Sequence, residues 1–352
     1  MQRFGVLVFI SIFSGICLGG YYYILSRLFA FFKIKHTMFF WLMLVWLAFG
    51  YILFSILERK YPCGLCNFFV RLSAIGLGVG WLCLIVLLSH DLLYLIFRFP
   101  LDISRWFAAG TILLLSVYAF MNARCINVET IELPAPVNLN IVQLSDIHLG
   151  SVSWRHLERL VEKSAALKPD AVVITGDLID PQGHLPPDAL LPLQRLNVPI
   201  YWISGNHERY FGLEKAAALL KQTAVIPLRN EAVKWSGIQL VGIDDSDDPA
   251  WVEHMLTRLQ RQPDLFTVLL YHQPEGYNAA ARAGIDLMLC GHTHNGQIWP
   301  FNWVVRSRFQ YLKGLHRIGR MHLYISTGSG TWGPPMRLGS RNQITFICLR
   351  NS

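Results

Sequence analysis

The stretch Ile141-Val-Gln-Leu-Ser-Asp-Ile-His-Leu-Gly150 contains an apolar run that stops at a carboxylate and an imidazole. Side chains alternate along an extended strand, so residues i and i+2 project to the same side, and Asp146 and His148 can converge on one point. The pattern predicts a β-strand that ends in two metal ligands. A single Asp-x-His is weak support, but the same construction recurs four more times before the C-terminus.

The four later apolar runs also end in residues that can bind a metal. They end in Gly176-Asp177-Leu-Ile-Asp180, Gly205-Asn206-His207-Glu208, His272 and Gly291-His292-Thr-His294. In open α/β sheets the ligand site lies just beyond the carboxyl ends of the strands, which is where all of these residues would fall. Glycines before Asp177, Asn206 and His292 let the backbone turn sharply and approach a bound group. Five convergent strand ends predict one shared site.

Strand-like and helical segments alternate after residue 139. The predicted strands are Asn140 to Ser145, Ala171 to Thr175, Val198 to Ser204, Ile238 to Ile243, Thr267 to Tyr271, Asp286 to Cys290, Leu323 to Ser326 and Ile344 to Leu349. The predicted helices are Trp154 to Leu167, Pro187 to Leu196, Leu213 to Lys221 and Pro249 to Gln260. This alternation predicts an α/β domain in which two sheets form a sandwich flanked by helices.

The first 125 residues are much more apolar than the rest. The chain as a whole is 53% hydrophobic, and four runs lack internal charges over most of their length: Phe4 to Leu25, Met38 to Leu57, Leu72 to Leu88 and Trp106 to Met121. A helix needs about 20 apolar residues to cross a bilayer. The runs therefore predict a bundle of about four transmembrane helices, with an uncleaved first helix, in a multi-pass protein of the cell membrane. The helix ends on the two sides of the membrane carry nearly equal numbers of positive charges. The sequence therefore does not indicate which side the catalytic domain occupies.

These patterns divide the chain into three parts. Residues 1–125 are expected to form a transmembrane domain, residues 126–139, with Pro134 and Pro136, a linker, and residues 140–352 the catalytic domain. The seven cysteines are scattered and do not resemble a disulfide framework. Cys63-Gly-Leu-Cys66 could be a redox or metal half-site, or a pair of incidental loop thiols.

The ligand-type motifs as a set resemble those of the calcineurin-like metallophosphoesterase family. Asp146-x-His148, Gly176-Asp177-x-x-Asp180, Gly205-Asn206-His207-Glu208, His272 and Gly291-His-Thr-His294 occur in the order of that family. Within it, Gly-His-Thr-His-Asn-Gly-Gln297 and Ser-Thr-Gly-Ser-Gly330 are most similar to a bacterial, membrane-anchored branch. Asp180 is followed by Pro181-Gln-Gly, which differs from the Asp-Arg-Gly of the Ser/Thr protein phosphatases.

The resemblance implies two metal ions and assigns their ligands. Asp146, His148, Asp177 and His294 would hold the first ion, and Asp177, Asn206, His272 and His292 the second, with Asp177 bridging them. Oxygen and imidazole donors without thiolate suit Mn, Fe, Zn or Co. Two such ions can clamp the attacking and leaving oxygens and supply a bridging hydroxide as the nucleophile. His207 would then stabilise or protonate the leaving oxygen.

The neighbours of these residues are expected to have other roles. Asp180 is expected to orient a ligand or to cap the turn in which it lies. For Glu208 and Arg209, structural pairing and contact with the substrate are equally open.

The segment after His294 suggests what the substrate is. Residues 298–320 interleave Trp299, Phe301, Trp303, Phe309 and Tyr311 with Arg306, Arg308, Lys313, Arg317 and Arg320. Residues 287–352 carry eight Lys or Arg and no Asp or Glu. Aromatic and basic residues favour the headgroup level of a membrane. An ordinary surface insertion could have the same composition. Aromatic residues among arginines also occur in nucleic-acid-binding proteins, but the four predicted membrane helices would already hold this domain at a bilayer.

These observations together predict a metal-dependent phosphoric ester hydrolase anchored in the membrane. Its substrate would be a phosphoester or pyrophosphate, of which a lipid-linked or amphiphilic compound is the first choice, and no nucleic acid is expected as a partner. Two alternatives remain: a tethered phosphodiesterase or phosphatase with a soluble nucleotide or other small phosphoester as substrate, and a non-catalytic metal-binding membrane sensor.

Overall fold

The computed structural model describes residues 2–61, 63–181, 185–186, 188–259 and 261–351, with side chains from residue 14 onward. The chain forms two compact units. One contains Met1–Met121 with Gly333–Met336, and the other contains Asn122–Trp332 with Arg337–Ser352.

The first unit consists of four long helices. They are α1 (Gln2–Phe31), α2 (Met38–Lys60), α3 (Gly64–Phe97) and α4 (Leu101–Asn122). Of the described residues, α2, α3 and α4 are long and apolar enough to cross a membrane, where the sequence predicts about four such helices. The run Phe4 to Leu25 forms part of α1, whose first side chains lie outside the described residues.

A carboxylate lies within the long and mostly apolar helix α3. Asp91 lies inside α3, which continues to Phe97 beyond the run predicted to end before this residue. Tyr23 donates a hydrogen bond of 2.6 Å to Asp91 Oδ2, and Arg27 forms a salt bridge with Oδ1. The carboxylate is therefore satisfied by two side chains of α1.

The second unit contains a mixed sheet of six strands. Its strands are β1 (Ile126–Pro134), β2 (Leu139–Leu144), β3 (Ala171–Thr175), β4 (Ile200–Ile203), β5 (Val225–Pro227) and β12 (Asn342–Arg350), in the order β1-β12-β2-β3-β4-β5. The neighbours β2, β3 and β4 run parallel to one another. Their carboxyl ends therefore lie at one edge of the sheet.

A second six-stranded sheet covers the first. It consists of β6 (Glu231–Trp235), β7 (Ile238–Gly242), β8 (Phe266–Leu270), β9 (Leu287–Cys290), β10 (Gly314–Ile318) and β11 (Met321–Ile325), in the order β10-β11-β9-β8-β7-β6. The helices are α5 (Trp154–Ala166), α6 (Asn206–Phe211), α7 (Leu213–Leu220), α8 (Trp251–Arg258), α9 (Tyr277–Arg282) and α10 (Phe301–Arg306). Strands β7, β8 and β9 are parallel, so their carboxyl ends also converge.

Side-chain alternation divides the apolar core into three layers. Ile141 and Val173 of the first sheet pack with Leu240 and Leu289 of the second, between the sheets. Val142, Leu144, Val172 and Ile174 point to the opposite face, where Leu157 and Leu160 of α5 cover them. A third cluster joins the outer face of the second sheet to α8 and α9. The predicted class, apolar helices followed by a two-sheet α/β domain, is confirmed, with three candidate membrane helices among the described residues in place of about four.

The structure differs from the sequence prediction at residues 126–139. The segment expected to be a linker contains strand β1, which pairs with β12 over its whole length. Because β1 is an edge strand with exposed residues in its middle, its sequence has the polar character of a linker.

Further differences concern local structure, among them the unpredicted strands β5, β6 and β10. The helix predicted from Pro187 to Leu196 is a 3₁₀ helix at Leu191–Leu196, and the helix predicted from Pro249 to Gln260 spans Trp251–Arg258. Pro187 and Gln260 lie outside the described residues. Helix α10 is a short turn within the aromatic and basic segment, for which the sequence predicted no secondary structure.

Candidate metal centre

The carboxyl ends of five strands bring the predicted ligands together. Asp146 and His148 follow β2, Asp177 follows β3, Asn206 begins α6 directly after β4, and His272 follows β8. His292 and His294 follow β9. All of these residues except His292 are buried. The site therefore lies along the edge at which the parallel strands of both sheets end.

The backbone at the site adopts an unusual conformation. Five of these residues have positive φ angles: Asp146 at 52°, His148 at 56°, Asp177 at 52°, His292 at 71° and His294 at 48°. Such angles are uncommon outside glycine, although Asp and His tolerate them better than most residues. Strained conformations of this kind concentrate at functional sites, where the surrounding structure holds them in place. Here, backbone hydrogen bonds from Asp146 N to Gly176 O and from His148 N to Asp177 O connect the two loops.

Two glycines permit the close approach of these loops. A Cβ atom at Gly205 would lie 2.2 Å from Asp177 Oδ1, and one at Gly291 would lie 2.2 Å from Asp146 Oδ2. Both distances are far below van der Waals contact, and a Cβ atom would also meet Asp177 N at Gly205 and Ser145 Oγ at Gly291. Any larger residue at either position would displace a predicted ligand.

A first cluster consists of Asp146, His148 and His294, whose ligand atoms all lie within 4.8 Å of one another. His148 Nε2 and His294 Nε2 are 3.1 Å apart, and His294 Nε2 is 3.5 Å from Asp146 Oδ1. The carboxylate of Asp146 accepts hydrogen bonds of 2.9 and 3.1 Å from His292 N. The backbone of one predicted ligand thus orients the side chain of another.

A second cluster consists of Asp177, His272 and His292, again within 4.8 Å. His272 Nε2 lies 3.2 Å from Asp177 Oδ2, 3.1 Å from Asn206 Oδ1 and 3.2 Å from His292 Nδ1. His272 Nδ1 is 2.8 Å from the carbonyl oxygen of Thr175, to which it can only donate. If the ring is neutral, its proton lies on Nδ1, and the lone pair of Nε2 faces Asp177 Oδ2 and Asn206 Oδ1.

His207 lies at the border of both clusters. Its Nε2 is 4.0 Å from Asp177 Oδ2, and its Nδ1 is 3.6 Å from Asp180 Oδ1. His148, Asp177 and His207 also form a group with ligand atoms within 4.8 Å of one another. Distance alone therefore allows His207 to bind a metal, in addition to the role at the leaving oxygen that the resemblance implies. The ring is at the opening of the site, where its side chain keeps 11% of its exposure.

Asp180 connects two of the imidazoles. Its Oδ2 lies 3.5 Å from His148 Nδ1 and accepts a hydrogen bond of 2.7 Å from Ser151. Burial raises the pKa of the Asp180 carboxyl, but His148 and His207 outweigh this and hold it below its usual range. As an anion, Asp180 lies beside Nδ1 of both rings, a position that is compatible with the expectation that it orients a ligand.

Electrostatic effects at the site are large because the charges are buried. Burial lowers the pKa of His207, but Asp177 and Asp180 raise it to about 9. Burial likewise lowers the pKa of His272, and the carboxylate of Asp177 raises it well above its usual value. For His292, burial prevails and lowers the pKa to about 3.

Glu208 has a structural role at this site. Its carboxylate accepts hydrogen bonds from the backbone N–H groups of Asp177 at 2.9 Å, Ile179 at 2.8 Å and Gly205 at 2.7 Å. It thus connects the loop after β3 to the loop after β4. Burial and the nearby Asp177 raise the pKa of Glu208 to about 7.

Arg209 is also occupied by structural pairing. Its Nε donates to Asp245 Oδ2 at 2.9 Å, and its terminal nitrogens donate to both carboxylate oxygens of Asp247. Of the two roles left open for this residue, the structure places it in an ion pair.

Arg337 is a site residue that the sequence did not indicate. Its side chain is fully buried, and Nη2 lies 3.1 Å from His294 Nδ1. Nη1 donates to the carbonyl oxygen of Thr327 at 2.8 Å and to Ser340 Oγ at 3.2 Å. Arg337 follows His294 by 43 positions in a Gly- and Pro-rich stretch that contains no motif, so only the folded structure connects the two.

The donor atoms fit divalent transition metals. Asp177 Oδ2 and Asn206 Oδ1 lie 3.2 and 3.1 Å from His272 Nε2, so three atoms that can each offer a lone pair lie close together, and either a proton on the ring or a bound cation would stabilise this arrangement. Imidazole, carboxylate and amide oxygen without thiolate suit metals such as Mn, Fe, Zn or Co. The two-sheet fold and the paired His/Asp clusters agree with the expected metal-dependent phosphoesterase.

Comparison with known proteins identifies the family. A family model described as calcineurin-like phosphoesterase matches residues 139–296. An uncharacterized metallophosphoesterase of Campylobacter jejuni is 31% identical over 317 residues, which cover 84% of this chain and 82% of that protein. The chain belongs to the calcineurin-like phosphoesterase family, as its motifs predicted, and this family typically binds two metal ions.

Relatives named as transmembrane proteins also occur. A transmembrane protein with a metallophosphoesterase domain from Bos taurus is 36% identical over 268 residues, which cover 67% of this chain and 60% of that protein. The chain spans about 60% of the length of this relative and of a Helicobacter pylori metallophosphoesterase. The crystal structure of a dimetal phosphatase from Danio rerio aligns with a TM-score of 0.36 at 11% identity, covering 54% of this chain and 87% of that one.

Proposed function

We propose that this protein is a membrane-anchored phosphoesterase with two divalent transition-metal ions, and that its substrate is an amphiphilic phosphoester or pyrophosphate such as a lipid-linked intermediate. The helices within residues 1–125 anchor it as a multi-pass protein of the cell membrane, and residues 140–352 carry out hydrolysis. The observation that carries the substrate assignment is the set of exposed aromatic rings around the metal centre.

The two clusters assign the metal ligands. Asp146, His148, Asp177 and His294 would hold one ion, and Asp177, Asn206, His272 and His292 the other. Asp177 lies next to both clusters, within 3.8 Å of His148 Nε2 and 3.2 Å of His272 Nε2, which supports a bridging carboxylate. Bound there, two ions would acidify water and neutralise the negative charge that develops on the phosphate.

The remaining residues position the reacting groups. Asp180 lies at Nδ1 of His207 and directs the Nε2 edge of that ring toward the centre. From there Nε2 can donate a proton to the leaving oxygen, which is the assigned role of His207. Thr175 O selects the tautomer of His272 in which Nε2 can bind a metal.

Aromatic side chains surround the opening of the site. The rings of Tyr210 and Trp332 lie 5.8 and 6.2 Å from the ring of His207, and they are 59% and 46% exposed. Phe309 lies 5.3 Å from His292. Exposed rings beside a buried, charged centre favour a substrate with an apolar part next to its phosphate, because such a part removes the rings from water.

A second group of exposed apolar residues follows the predicted ligand His294 in the sequence. Trp299 and Trp303 pack against each other at 5.6 Å and are 45% and 65% exposed. Phe301 and Val304 of α10 are also exposed. A compact apolar surface with basic neighbours is typical of contact with a membrane interface. Tyr311, by contrast, packs on Tyr277 in the core beside the second sheet.

The test uses purified protein whose metal content has been measured. It compares the rates at which this protein hydrolyses matched lipid-linked and soluble phosphoesters. Preferential turnover of lipid-linked substrates in bilayer nanodiscs supports the proposal. Preferential turnover of nucleotides or other soluble esters would instead favour the tethered phosphodiesterase. Metal-replete protein without activity on either group would favour a sensor.

A further inference from the structure

A cavity of about 440 Å³ lies beside the segment that connects α4 to β1, and its function is not explained by the metal centre. Its walls are formed by Arg124, Cys125, Ile126, Arg159, Glu162 and Lys163. All of these residues belong to the compact unit that contains the two sheets. Three of the six side chains are cations.

Helix α5 and the connecting segment build this cavity together. Arg159 and Lys163 are four positions apart on α5, so they share one face of the helix. Arg159 Nη1 donates to the carbonyl oxygen of Arg124 at 3.2 Å, and Lys163 Nζ donates to that of Ile126 at 3.1 Å. These bonds hold the segment against α5 and leave further N–H groups of both cations available to a ligand.

The cavity carries a net positive charge. Arg124, Arg159 and Lys163 contribute three positive charges, and Glu162 contributes one negative charge. The other acid of α5, Glu158, pairs with Arg195 at 3.3 Å. Two positive charges thus remain without compensation at the walls of one cavity, which favours an anion as its occupant.

The position in the chain indicates where this anion comes from. Helix α4 is long and apolar enough to cross a membrane and ends at Asn122. Arg124 follows two residues later and therefore lies within about 7 Å of that end. Cations immediately beyond a membrane helix are at the level of the lipid headgroups, where anionic headgroups attract them.

We propose that this cavity binds a phosphate group through Arg124, Arg159 and Lys163, and that the group is the headgroup phosphate of an anionic lipid. The site is separate from the proposed metal centre and does not depend on catalysis. Phosphate free in solution offers the same chemistry, so the experiment includes both sources.

The experiment compares the full-length protein with two cavity variants. The first carries Arg124→Gln, Arg159→Gln and Lys163→Gln. The second keeps Arg159, which also contacts His156, and carries only Arg124→Gln and Lys163→Gln. A matched control replaces three exposed lysines elsewhere, Lys215, Lys221 and Lys234, with glutamine and thus removes the same charge.

Two probes distinguish the sources of phosphate. The first probe is phosphatidylglycerol. The protein is taken from nanodiscs that contain both phosphatidylglycerol and phosphatidylcholine, and native mass spectrometry counts the phosphatidylglycerol molecules that it retains. The second is inorganic phosphate added to delipidated protein, followed by thermal shift. Phosphate can also bind the metal centre, so the readout is the difference between wild type and cavity variants.

We expect wild type and control to retain phosphatidylglycerol and both cavity variants to retain at least about tenfold less. Loss of the inorganic-phosphate shift alone would still support the cavity as a phosphate site and overturn its assignment to a lipid. If all four proteins behaved alike with both probes, the proposal would be wrong.

Discussion

The Nε2 atoms of His148 and His294 lie 3.1 Å apart in a buried site, although 146 positions separate the two residues in the chain. Two neutral imidazole nitrogens cannot both present a lone pair at this distance without a proton or a cation between them. Asp146 Oδ1 approaches the same point, 3.5 Å from His294 Nε2. This convergence of three atoms of the kind that bind metals motivates the predictions about metal binding.

Replacing Asp177 with alanine should abolish hydrolysis and lower metal occupancy at both positions, because its carboxylate adjoins both clusters. The measurement is metal content by mass spectrometry together with the hydrolysis rate. Asp264→Ala, which removes an exposed carboxylate elsewhere, is the control and should retain metal and activity. Loss of only one ion from Asp177→Ala would contradict a bridging role.

His207→Ala should retain metal and lose most of kcat. A group that donates a proton to the leaving oxygen contributes roughly 10² to 10⁴ in rate. His207 is near enough to His148 and Asp177 to share an ion, so metal content decides between the two roles. Loss of metal from His207→Ala would make it a ligand. His254→Ala, at an exposed position, serves as the control.

Removing metal with a chelator should abolish activity, and Mn²⁺ or a similar ion should restore it, because the chain itself offers no nucleophile motif for this reaction. A thiol-blocking reagent should have little effect, because the exposed thiols, Cys63 and Cys125, belong to neither cluster. Full activity in protein shown to be free of metal would rule out the mechanism.

Replacing Trp299, Trp303 and Phe309 together with polar residues should reduce turnover of a lipid-embedded substrate much more than turnover of a small chromogenic phosphodiester. The first two rings are exposed, and the third lies beside His292. The comparison is kcat/KM for both substrates in nanodiscs. A control with Val128, Leu191 and Ile226 made polar, which are similarly exposed, should not separate the two substrates. Equal losses on both substrates would favour a soluble substrate.

The stability of the protein should fall as the pH decreases from about 6.5 toward 4, in part because of His156. Burial lowers the pKa of His156 from 6.5 to about 4, while its Nε2 donates to Ser329 O at 2.6 Å and its Nδ1 accepts from Arg159. Between pH 6.5 and about 4, His156 is protonated in the unfolded chain but neutral in the folded protein. Lower pH in this range therefore favours unfolding.

Thermal unfolding between pH 4 and 7 tests this expectation. His156→Gln can still donate to Ser329 O but does not titrate, so its unfolding temperature should depend less on pH than that of the wild type. Parallel curves for the two proteins would show that His156 does not contribute.

Much of the fold and of the site could be predicted because the informative residues are local in sequence. Strands such as Ala171–Thr175 are continuous apolar runs, as expected of strands buried on both faces. Each run is followed at once by its ligand-type residue, and parallel strands place such residues at one edge. The family resemblance then supplied the pairing of ligands with ions, and the roles of these residues remain predictions.

Other features of the fold and of the site were decided only by the tertiary structure, because they depend on contacts between distant segments. Strand β1 reads as a linker because its exposed middle lacks an apolar pattern, and only pairing with β12 makes it a strand. Arg337 reaches His294 across 43 positions, and Glu208 joins the loops after two different strands. The amino-acid order indicated the buried strands, such as β2 and β3, and the metal-ligand residues that follow them. The left-handed backbone at Asp146, Asp177 and His294, and the distances between their side chains, arise only when hydrogen bonds and close packing between the loops hold these strained conformations.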